Sequence, residues 1–521
     1  MKIRSLSSDP WILFLLLTAA VLLFTRLDNG RLWQDEAETA VLGKNILTFG
    51  YPKAFDGTNL LNPSLTVKEN YAWTYHSWLP MYLAASSFAL FGTDTWAARF
   101  PFALMGLLSI WLSYLLSKRL TSDTLTSRLT TLSLVLCVPF LLHMRQCRYY
   151  APAVLFTLWA TLAYWRFLHK KRFSSVELTA ALTLLFHSDH GIFAPLTAGF
   201  ALHFLAENRE KDRWSRGAAV LVSLLALTVP WIIYLNAGQH HKGFSWKEIS
   251  HHFQFYIRQI NKFLVPVFFW VILRLAWRKP FRSPPGGSPG NVRQGWRLTC
   301  VLIAAGFAFL VLVPEQRHFR YIIFLVPFLL MIQAALLVRL IRAKAAAGIL
   351  LAGALLLTDA IHHSGLSVLG AHIPAIRSKL SSPDVRIRSL PAEFLGELTH
   401  DYRGPIDGIV ELLGKESRPG QTVKAPYEEH PLIFYTSLAV EPVRNEADFR
   451  KETFPDWIIL RRDWIPNEFF KSPYYAEIKR RYKELVLDAP DIPWQNRPDP
   501  GYHRFVTDGQ APPVTVLKRE S

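Results

Sequence analysis

Apolar runs of helical length, separated by short polar segments, fill the first two thirds of the chain. A helix that crosses the hydrocarbon core of a membrane needs roughly 17–25 mostly apolar residues. The runs predict about eleven transmembrane helices, near residues 10–25, 100–117, 129–144, 151–168, 174–188, 191–206, 217–236, 262–277, 298–314, 320–341 and 345–361. The run from Leu79 to Phe91 is too short to cross and predicts a helix lying at the membrane interface.

Basic residues mark every second loop between these runs. Lys and Arg crowd the loops at 118–128, 170–172, 209–216, 278–293 and 339–344. Because Lys and Arg accumulate in cytoplasmic loops, the N-terminus is predicted to be cytoplasmic and the C-terminal segment extracytoplasmic or periplasmic. The chain is therefore expected to be a multi-pass protein of the cell inner (plasma) membrane.

The C-terminal part of the chain has the helical and strand-like patterns of a small soluble domain. Helical patterns at 391–403 and 405–416 precede strand-like runs at 422–425, 432–440 and 457–460. The predicted fold class is an all-α polytopic membrane protein with a C-terminal extracytoplasmic α/β domain. Residues 1–382 would form the transmembrane domain, with a large first outer loop at 26–99, and residues 383–521 would form the α/β domain.

Composition excludes an ordinary soluble enzyme and argues against a nucleic-acid-binding protein. Half of the 521 residues are hydrophobic, and the formal net charge is +18. The basic residues lie between apolar runs, so they are better explained as topology signals and as partners of anionic membrane lipids. The three cysteines show no spacing typical of a disulfide framework or metal knuckle.

Residues with catalytic chemistry fall mostly in the predicted outer loops. Asp35 and Glu36 open an amphipathic stretch shortly after the first apolar run. Acidic residues at this place can simply stabilise the start of a helix. A carboxylate near the membrane surface can also act as a general base on an acceptor hydroxyl. Both interpretations of the acidic pair remain open at this point.

Two clusters of arginine and tyrosine lie where apolar runs meet the outer surface. Arginines at helix ends often extend to the headgroup region without any function, but a guanidinium there is also well suited to bind phosphate. The candidates for a phosphate site are Arg145, Arg148, Tyr149, Arg320 and His76. A divalent metal is possible but has no diagnostic spacing to support it, and its weak candidate ligands are His187, Asp189 and His190.

Several local strings resemble family 39 glycosyltransferases, which include protein O-mannosyltransferases and bacterial aminoarabinose transferases. The matching strings are WQDEAETAVLGKNILTFGYP (33–52), TYHSWLPMYLAASSFALFG (74–92), AARFPFAL (97–104), RQCRYYAPAVLF (145–156) and RHFRYIIFLVPFLLMI (317–332). The resemblance implies the GT-C fold and an inverting transfer of sugar from dolichyl or undecaprenyl phosphate. It also implies that Asp35 is the catalytic carboxylate with Glu36 as its neighbour, and that Arg148 lies near the donor phosphate.

One departure from the family pattern limits the choice of substrate. Where the aminoarabinose enzymes have Glu-Lys-Pro-Pro, this chain has Tyr75-His76-Ser77-Trp78. The lysine expected at the phosphate is missing, which argues against aminoarabinose transfer to lipid A.

The sequence thus favours a membrane glycosyltransferase that moves a hexose or pentose from a polyprenyl-phosphate donor to an extracytoplasmic protein, lipid or glycan. Such a donor needs no nucleotide, no further cofactor is required by the sequence, and no Gly-rich nucleotide loop is present. The alternatives are a transporter or flippase for lipid-linked sugars and a non-catalytic scaffold. A transporter would need charged residues in the middle of the membrane, and a scaffold would leave the outer polar clusters unexplained.

The predicted orientation is tested with reporter fusions. A reporter fused after Lys171 should be cytoplasmic, and one fused after Pro383 should be extracytoplasmic, because Lys and Arg mark the inner loops. Paired alkaline phosphatase and green fluorescent protein fusions measure both positions. Alkaline phosphatase is active only outside the cytoplasm. Activity of a fusion after Lys171 would therefore mean that the predicted orientation is reversed and that the candidate residues face the cytoplasm.

Overall fold

A computed structural model describes residues 9–61, 68–207, 210–235, 246–276, 289–313, 316–362, 387–443, 453–493, 496–507 and 509–520. The described chain is mostly helical and forms two compact units. The first comprises residues 1–25, 102–145 and 149–395, and the second comprises residues 26–101, 146–148 and 396–521. The domain boundary predicted at residues 382/383 and residues 278–288 of the basic loop predicted at 278–293 lie outside the described residues.

A helix forms at each of the predicted apolar runs. The helices up to residue 357 are α1 (Pro10–Phe24), α2 (Gln34–Phe49), α3 (Leu79–Phe91), α4 (Thr95–Thr121), α5 (Thr124–Leu136), α6 (Val138–Met144), α7 (Tyr150–Leu168), α8 (Ser174–Ser188), α9 (His190–Glu207), α10 (Lys211–Leu235), α11 (Trp246–Phe263), α12 (Val267–Ala276), α13 (Pro289–Leu312), α14 (Val326–Ala343) and α15 (Ala345–Leu357). A 3₁₀ helix, Phe319–Leu325, leads into α14.

The helices make this a multi-pass membrane protein, but not every predicted span has full length. Among the described residues, five helices are long and apolar enough to cross a membrane, or up to seven if each bent pair is one span. The predicted helix at 129–144 is two helices, α5 and α6, bent by 68°. The bend follows from Pro139, which lacks the N–H that would continue the helical hydrogen-bond ladder.

A second bent pair replaces the helix predicted at 262–277. Helix α11 begins at Trp246, well before the predicted start, and α12 follows it at an angle of 79°. Pro266 lies between them, again where a backbone donor is missing. The polar residues of α11 leave no continuous apolar run before residue 262, so its start is not predicted by hydropathy, although the helix buries one face at His252, Tyr256 and Ile260.

Within the first unit, helices pack in pairs: α7 on α8, α9 on α13 and α5 on α14. Asp9 caps the start of α1 through the N–H of Trp11. The same carboxylate pairs with Arg128 at 2.8 Å and accepts the Tyr114 hydroxyl at 2.7 Å. These contacts join the beginnings of α1 and α5 to α4.

In the second unit, α2 and α3 lie against one another at a close approach. A Cβ atom on Gly43 would come within 2.9 Å of the Ala84 Cβ and 3.1 Å of the Met81 carbonyl. Glycine therefore sets the distance between the helix that begins with the acidic pair and the short helix predicted to lie at the interface.

The C-terminal part of the second unit is an α/β domain with a five-stranded sheet. It follows the division of the chain at residues 395/396, which lies inside helix α16 (Leu390–Thr399). The further helices of the domain are α17 (Pro405–Glu416), α18 (Glu429–Tyr435) and α19 (Pro473–Arg481), and its strands are β1 (Thr422–Pro426), β2 (Ala439–Val443), β3 (Trp457–Leu460), β4 (Tyr482–Pro490) and β5 (Pro513–Arg519). The strand order is β2-β1-β3-β5-β4. Strand β1 is parallel to β2 and β3, whereas β5 is antiparallel to β3 and β4.

Strand β3 is the strand of this sheet that is buried on both faces along its whole length. Trp457 and Ile459 join one apolar cluster with α17, while Ile458 and Leu460 join another with α19. Successive side chains of a strand point to opposite faces, and a continuous apolar run is typical of a strand covered on both sides. The strand predicted at 432–440 is wrong, because residues 429–435 form a helix and the strand begins at Ala439.

A buried ion-pair network holds the C-terminal domain together and gives a stability prediction. The Arg461 guanidinium, 1% exposed, pairs with Glu428 and, at 2.6 Å, with Asp491. Replacing it in Arg461→Met would leave two carboxylates buried without their cation, which costs about 3–5 kcal/mol. Pulse proteolysis of the full chain in urea measures the loss, with the exposed neighbour in Arg462→Met as the matched control.

The same variant should show a defined pH dependence. Burial raises the pKa of Glu428 to about 7 even with Arg461 beside it. A carboxyl whose folded pKa is raised stabilises the fold at low pH, and this contribution disappears as the pH rises through the folded pKa. The deficit of Arg461→Met should therefore be larger at about pH 8 than at about pH 6. Equal stability of the two arginine variants would contradict a structural role for the network.

Candidate active site

The acidic pair lies in the first turn of α2, in the second unit. Trp33 is the N-cap residue and makes no side-chain cap, and the helix begins at Gln34. Asp35 is half-buried, whereas Glu36 is completely buried. The prediction that this pair opens a helix is confirmed. The two carboxyls nevertheless have different surroundings and are not equivalent.

Glu36 is bound by a buried arginine and by a backbone amide. Arg99, at the start of α4, donates from Nε to Oε1 at 2.9 Å and from Nη2 to Oε2 at 2.8 Å. Oε1 also accepts the N–H of Cys147 at 2.9 Å. The remaining nitrogen of Arg99 donates to carbonyls of the loop after α1, those of Leu27, Asn29 and Gly30. One carboxylate therefore fixes three chain segments around the start of α2.

Arg148 lies against the first turns of α2 and is 6% exposed. Its Nη1 donates to Glu38 Oε1 at 2.7 Å, to Thr39 Oγ1 at 3.0 Å and to the Asp35 carbonyl at 3.1 Å. Glu38 was not singled out in the sequence, although its spacing from Asp35 places it one helical turn further on. The predicted phosphate ligand is thus paired with an acidic side chain in this structure.

His76 completes this polar cluster. Its Nε2 is 2.9 Å from Arg148 Nη2 and 3.7 Å from Glu38 Oε1. A guanidinium can only donate, so Nε2 is the acceptor in the contact with Arg148. The ring of Tyr75 packs on His76 edge-to-face at 4.5 Å. The structure therefore brings together Asp35, Arg148 and His76 of the predicted site.

The loop that carries Arg148 is buried, and its one thiol, that of Cys147, is protonated and therefore a poor nucleophile. Burial, with the nearby Glu36 carboxylate, raises the pKa of the Cys147 thiol well above its usual range. Trp33 donates its indole N–H to Gln146. Gln146 in turn donates from its amide to the Asn496 carbonyl at 3.3 Å. These contacts fix both ends of the three-residue segment 146–148.

The C-terminal domain holds the residues that lead into Asp35. Asn496 donates to the Arg31 carbonyl at 2.7 Å, and the Leu32 N–H donates to the Tyr435 hydroxyl at 3.0 Å. The N–H of His430 donates to Gln34 Oε1 at 3.3 Å, and its Nδ1 lies 3.2 Å from the Gln34 carbonyl. Sequence reasoning treated this domain separately and missed these contacts.

The other predicted phosphate ligands belong to the first unit. Arg145 donates from Nη1 to carbonyls at the end of α1, those of Leu22, Leu23 and Thr25, at 2.8–3.1 Å. It therefore satisfies backbone acceptors that a helix end leaves unpaired. Tyr149 is buried, and Asp189 and Arg320 are among its electrostatic neighbours.

The weak metal candidates do not converge. Asp189 accepts the N–H of Ile192 at 2.8 Å, as a helix cap does, and the His187 ring packs on Trp231 at 5.3 Å. In the part of the chain that the structure describes, no three His, Cys, Asp or Glu side chains, His190 included, are grouped as metal ligands would be. Residues 240–241 and 315, two further histidines and a glutamate of the outer loops, lie outside that part.

Comparison with known proteins identifies the fold. Residues 75–234 match the model of a family described as dolichyl-phosphate-mannose-protein mannosyltransferase. The crystal structure of ArnT from Cupriavidus metallidurans bound to undecaprenyl phosphate superposes with a TM-score of 0.56 at 15% identity, covering 98% of each chain. The apo form of the same protein gives 0.55 at 14% identity, with the same coverage.

A curated relative is an uncharacterized protein of Aquifex aeolicus (strain VF5), 26% identical over 286 residues. That alignment covers 51% of this chain and 54% of the relative, so the chain spans about half the length of the curated relative it matches. The superposition on ArnT shows that the two proteins share a fold.

Proposed function

We propose that this multi-pass membrane protein, which has the GT-C glycosyltransferase fold, transfers a sugar from a polyprenyl-phosphate donor to an acceptor outside the cytoplasm. The observation that carries the proposal is that a carboxylate residue and a guanidinium lie together at the start of α2. Half-buried Asp35 lies there beside Arg148, which donates to the Asp35 carbonyl at 3.1 Å. A carboxylate and a guanidinium are the groups needed to activate an acceptor and to stabilise a leaving phosphate.

The reaction is a displacement at the anomeric carbon of the donor sugar. The acceptor hydroxyl gives its proton to Asp35 as its oxygen bonds to that carbon from the face opposite the phosphate. The bond from the anomeric carbon to the phosphate oxygen breaks, and its electron pair leaves with the polyprenyl phosphate. A single displacement inverts the configuration, and the phosphate gains one negative charge as a phosphodiester becomes a monoester.

Arg148 and His76 are the side chains proposed to stabilise that negative charge. A guanidinium binds phosphate oxygens with a planar fork, and a neutral imidazole next to a new negative charge readily takes up a proton. In the structure, Arg148 is paired with Glu38 at 2.7 Å. The donor phosphate therefore has to share the guanidinium with Glu38 or replace it.

Glu36 is assigned a positioning role rather than a catalytic one. Both of its oxygens are bound by Arg99, and one also accepts the Cys147 N–H. Proton transfer at Glu36 would require this buried pair to open, which leaves an uncompensated charge. Its position between α2 and the 146–148 loop instead sets the distance between Asp35 and Arg148.

The similarities to known proteins support the donor class. The matching ArnT structure is described as bound to undecaprenyl phosphate, and the matching family description names dolichyl-phosphate mannose. Arg145, which caps α1, is assigned a structural role, whereas Tyr149 and Arg320 remain candidates for contact with the lipid phosphate. The predicted orientation would place the reaction on the outer side of the membrane.

Comparing cells with and without the gene identifies the donor and acceptor. Mass spectrometry of lipid-linked sugars should show a polyprenyl-phosphate sugar accumulating in the deletion strain. One class of envelope glycan, glycolipid or glycoprotein should lose the corresponding sugar. Unchanged donor and acceptor pools would argue against transferase function, and movement of the lipid-linked sugar across the membrane would then become the favoured activity.

The role of Asp35 is tested with Asp35→Asn. Asparagine cannot accept the acceptor proton, so transfer should fall by about 10²–10⁴-fold, while it supports a helix start about as well as aspartate. Transfer from a radiolabelled polyprenyl-phosphate sugar measures the loss. The control is Asp401→Asn, at a residue whose side chain is 94% exposed in the same unit. Full activity in a folded Asp35→Asn variant would leave only the helix-stabilising interpretation.

The role of Arg148 is tested by keeping its charge and removing its fork. Arg148→Lys should lose about 10- to 150-fold in transfer and Arg148→Ala still more, because each charge-assisted contact contributes about 1.5–3 kcal/mol. The guanidinium contacts Glu38 with Nη1 and His76 with Nη2, and the single ammonium nitrogen of lysine cannot occupy both positions. The control is Arg26→Lys, at a partly exposed ion pair of the same unit. Normal affinity for undecaprenyl phosphate in both Arg148 variants would move the phosphate site, with Arg320 next to be tested.

A further inference from the structure

The carboxyl ends of two parallel strands in the C-terminal sheet lie on the side of the sheet that faces the start of α2. Parallel strands β1 and β3 end at Pro426 and Leu460, and the chain continues into residues 427–430 and 461–464. In α/β sheets with parallel strands, ligands bind outside the carboxyl ends of the strands. Both segments follow such ends, so this edge is a candidate binding site by topology.

The segment after β1 is strained. Tyr427 and Glu428 have φ values of 52° and 67°, although neither is glycine. Each residue held in this left-handed region costs of the order of 1–3 kcal/mol, and such strain tends to persist at functional sites. Two consecutive strained residues at a strand end therefore point to a function of this turn.

The ion-pair network described above holds this turn in place. Glu428 is bound by Arg461, the first residue after β3, which also donates to the Ile492 carbonyl at 2.7 Å. Because Arg461 is also bound by Asp491, its charge is already neutralised. The network thus offsets the strain at Glu428, and this guanidinium is committed to carboxylates rather than to a phosphate.

The turn brings together one aromatic side chain from each strand end. The rings of Tyr427 and Trp464 stack with centroids 4.3 Å apart and planes at 14°. Both side chains are partly exposed. Because the two rings stack on each other, the surface open to a ligand is an outer ring face. An aromatic face beside polar groups is typical of sites that bind a ring carrying hydroxyl groups.

This surface lies next to the proposed base. His430, in the first turn of α18, contacts both the side chain and the carbonyl of Gln34, the residue before Asp35. After burial, the charge of Asp35 is the largest influence that raises the pKa of Tyr427. The aromatic pair and the carboxylate therefore belong to one local environment.

We propose that Tyr427 and Trp464 form the acceptor subsite of this protein and that the acceptor is a saccharide. Its ring stacks on the aromatic surface while one of its hydroxyls reaches Asp35. The assignment rests on the proposed transferase function. A peptide acceptor fits less well, because peptides are commonly recognised by pairing with an exposed edge strand. Strands β1 and β3 are interior strands of the sheet.

Binding to the full-length protein tests the subsite, in a detergent without a sugar headgroup. Saturation-transfer NMR measures binding of neutral trisaccharides (maltotriose and chitotriose) and of a Gly/Ser/Thr hexapeptide. Affinity for undecaprenyl phosphate is measured in parallel. The variants are Trp464→Ala and Trp464→Phe. The matched control is Tyr475→Ala, which removes a half-buried aromatic ring that packs against Phe469 at a tilt and against Phe470 edge-to-face in the same domain.

At least one trisaccharide should bind the wild-type protein. Trp464→Ala should weaken that binding by about 10-fold or more, because it removes the stacking surface. Trp464→Phe should retain part of it, and Tyr475→Ala all of it. Affinity for undecaprenyl phosphate should be unchanged in all three variants. If pulse proteolysis shows that Trp464→Ala unfolds the domain, Tyr427→Leu, which lacks the flat face, takes its place.

The possible failures are distinguishable. Wild-type protein that binds undecaprenyl phosphate but neither trisaccharide, or a Trp464→Ala variant that binds saccharide normally, would overturn the subsite alone. Binding of the hexapeptide that depends on Trp464 would overturn the saccharide assignment in favour of a protein acceptor. Wild-type protein that does not bind undecaprenyl phosphate would instead overturn the proposed donor, whatever the saccharide result.

Discussion

The buried ion pair between Glu36 and Arg99 is the constraint on which the arrangement around Asp35 depends. It joins the first turn of α2 to the start of α4, and Arg99 also binds carbonyls of the loop after α1. The same carboxylate binds the amide of Cys147 next to Arg148. Removing either partner would leave a buried charge without compensation, which is far more costly than losing an exposed ion pair. The pair therefore holds the first turn of α2, the start of α4 and the segment that carries Arg148 in fixed positions relative to one another.

The C-terminal domain belongs to the same unit as the acidic pair, and its contacts explain why. Hydrogen bonds with Asn496, Tyr435 and His430 hold the residues before Asp35. Gly30 is required there, because its φ is +67° and a Cβ would come within 2.3 Å of the Asn496 side chain. A carboxylate on a freely moving loop would be a poor base, since catalytic groups must keep their orientation. The domain thus supplies rigidity to the site, and the strained turn at Tyr427 suggests that it supplies a binding surface too.

The sequence predicted more of the helices than of the site. Apolar runs gave the positions of the helices, because burial in lipid or protein demands a continuous apolar surface. The bends at Pro139 and Pro266 and the number of full-length spans were not predicted, although each proline lacks the backbone donor that a continuous helix needs. The short run at 432–434 is equally compatible with a strand and a buried helix, and only the packing of α18 against α2 distinguished them. In the candidate site, Asp35, Arg148 and His76 were selected from residue type and resemblance, whereas Glu38, Arg99 and the C-terminal partners were missed.

The sequence by itself determined that this is a helical membrane protein with a polar C-terminal α/β domain, because hydropathy and periodicity act over neighbouring residues and are written locally. It also determined which residue types could act as base and phosphate ligand. Only the tertiary structure decided which carboxyl is a structural ion pair and which is partly exposed. Asp35 and Glu36 are adjacent and chemically alike, but their roles depend on Arg99 and Cys147, which lie far away in the chain. Burial and ion pairing act between groups a few ångströms apart in space, so no local pattern could separate the two.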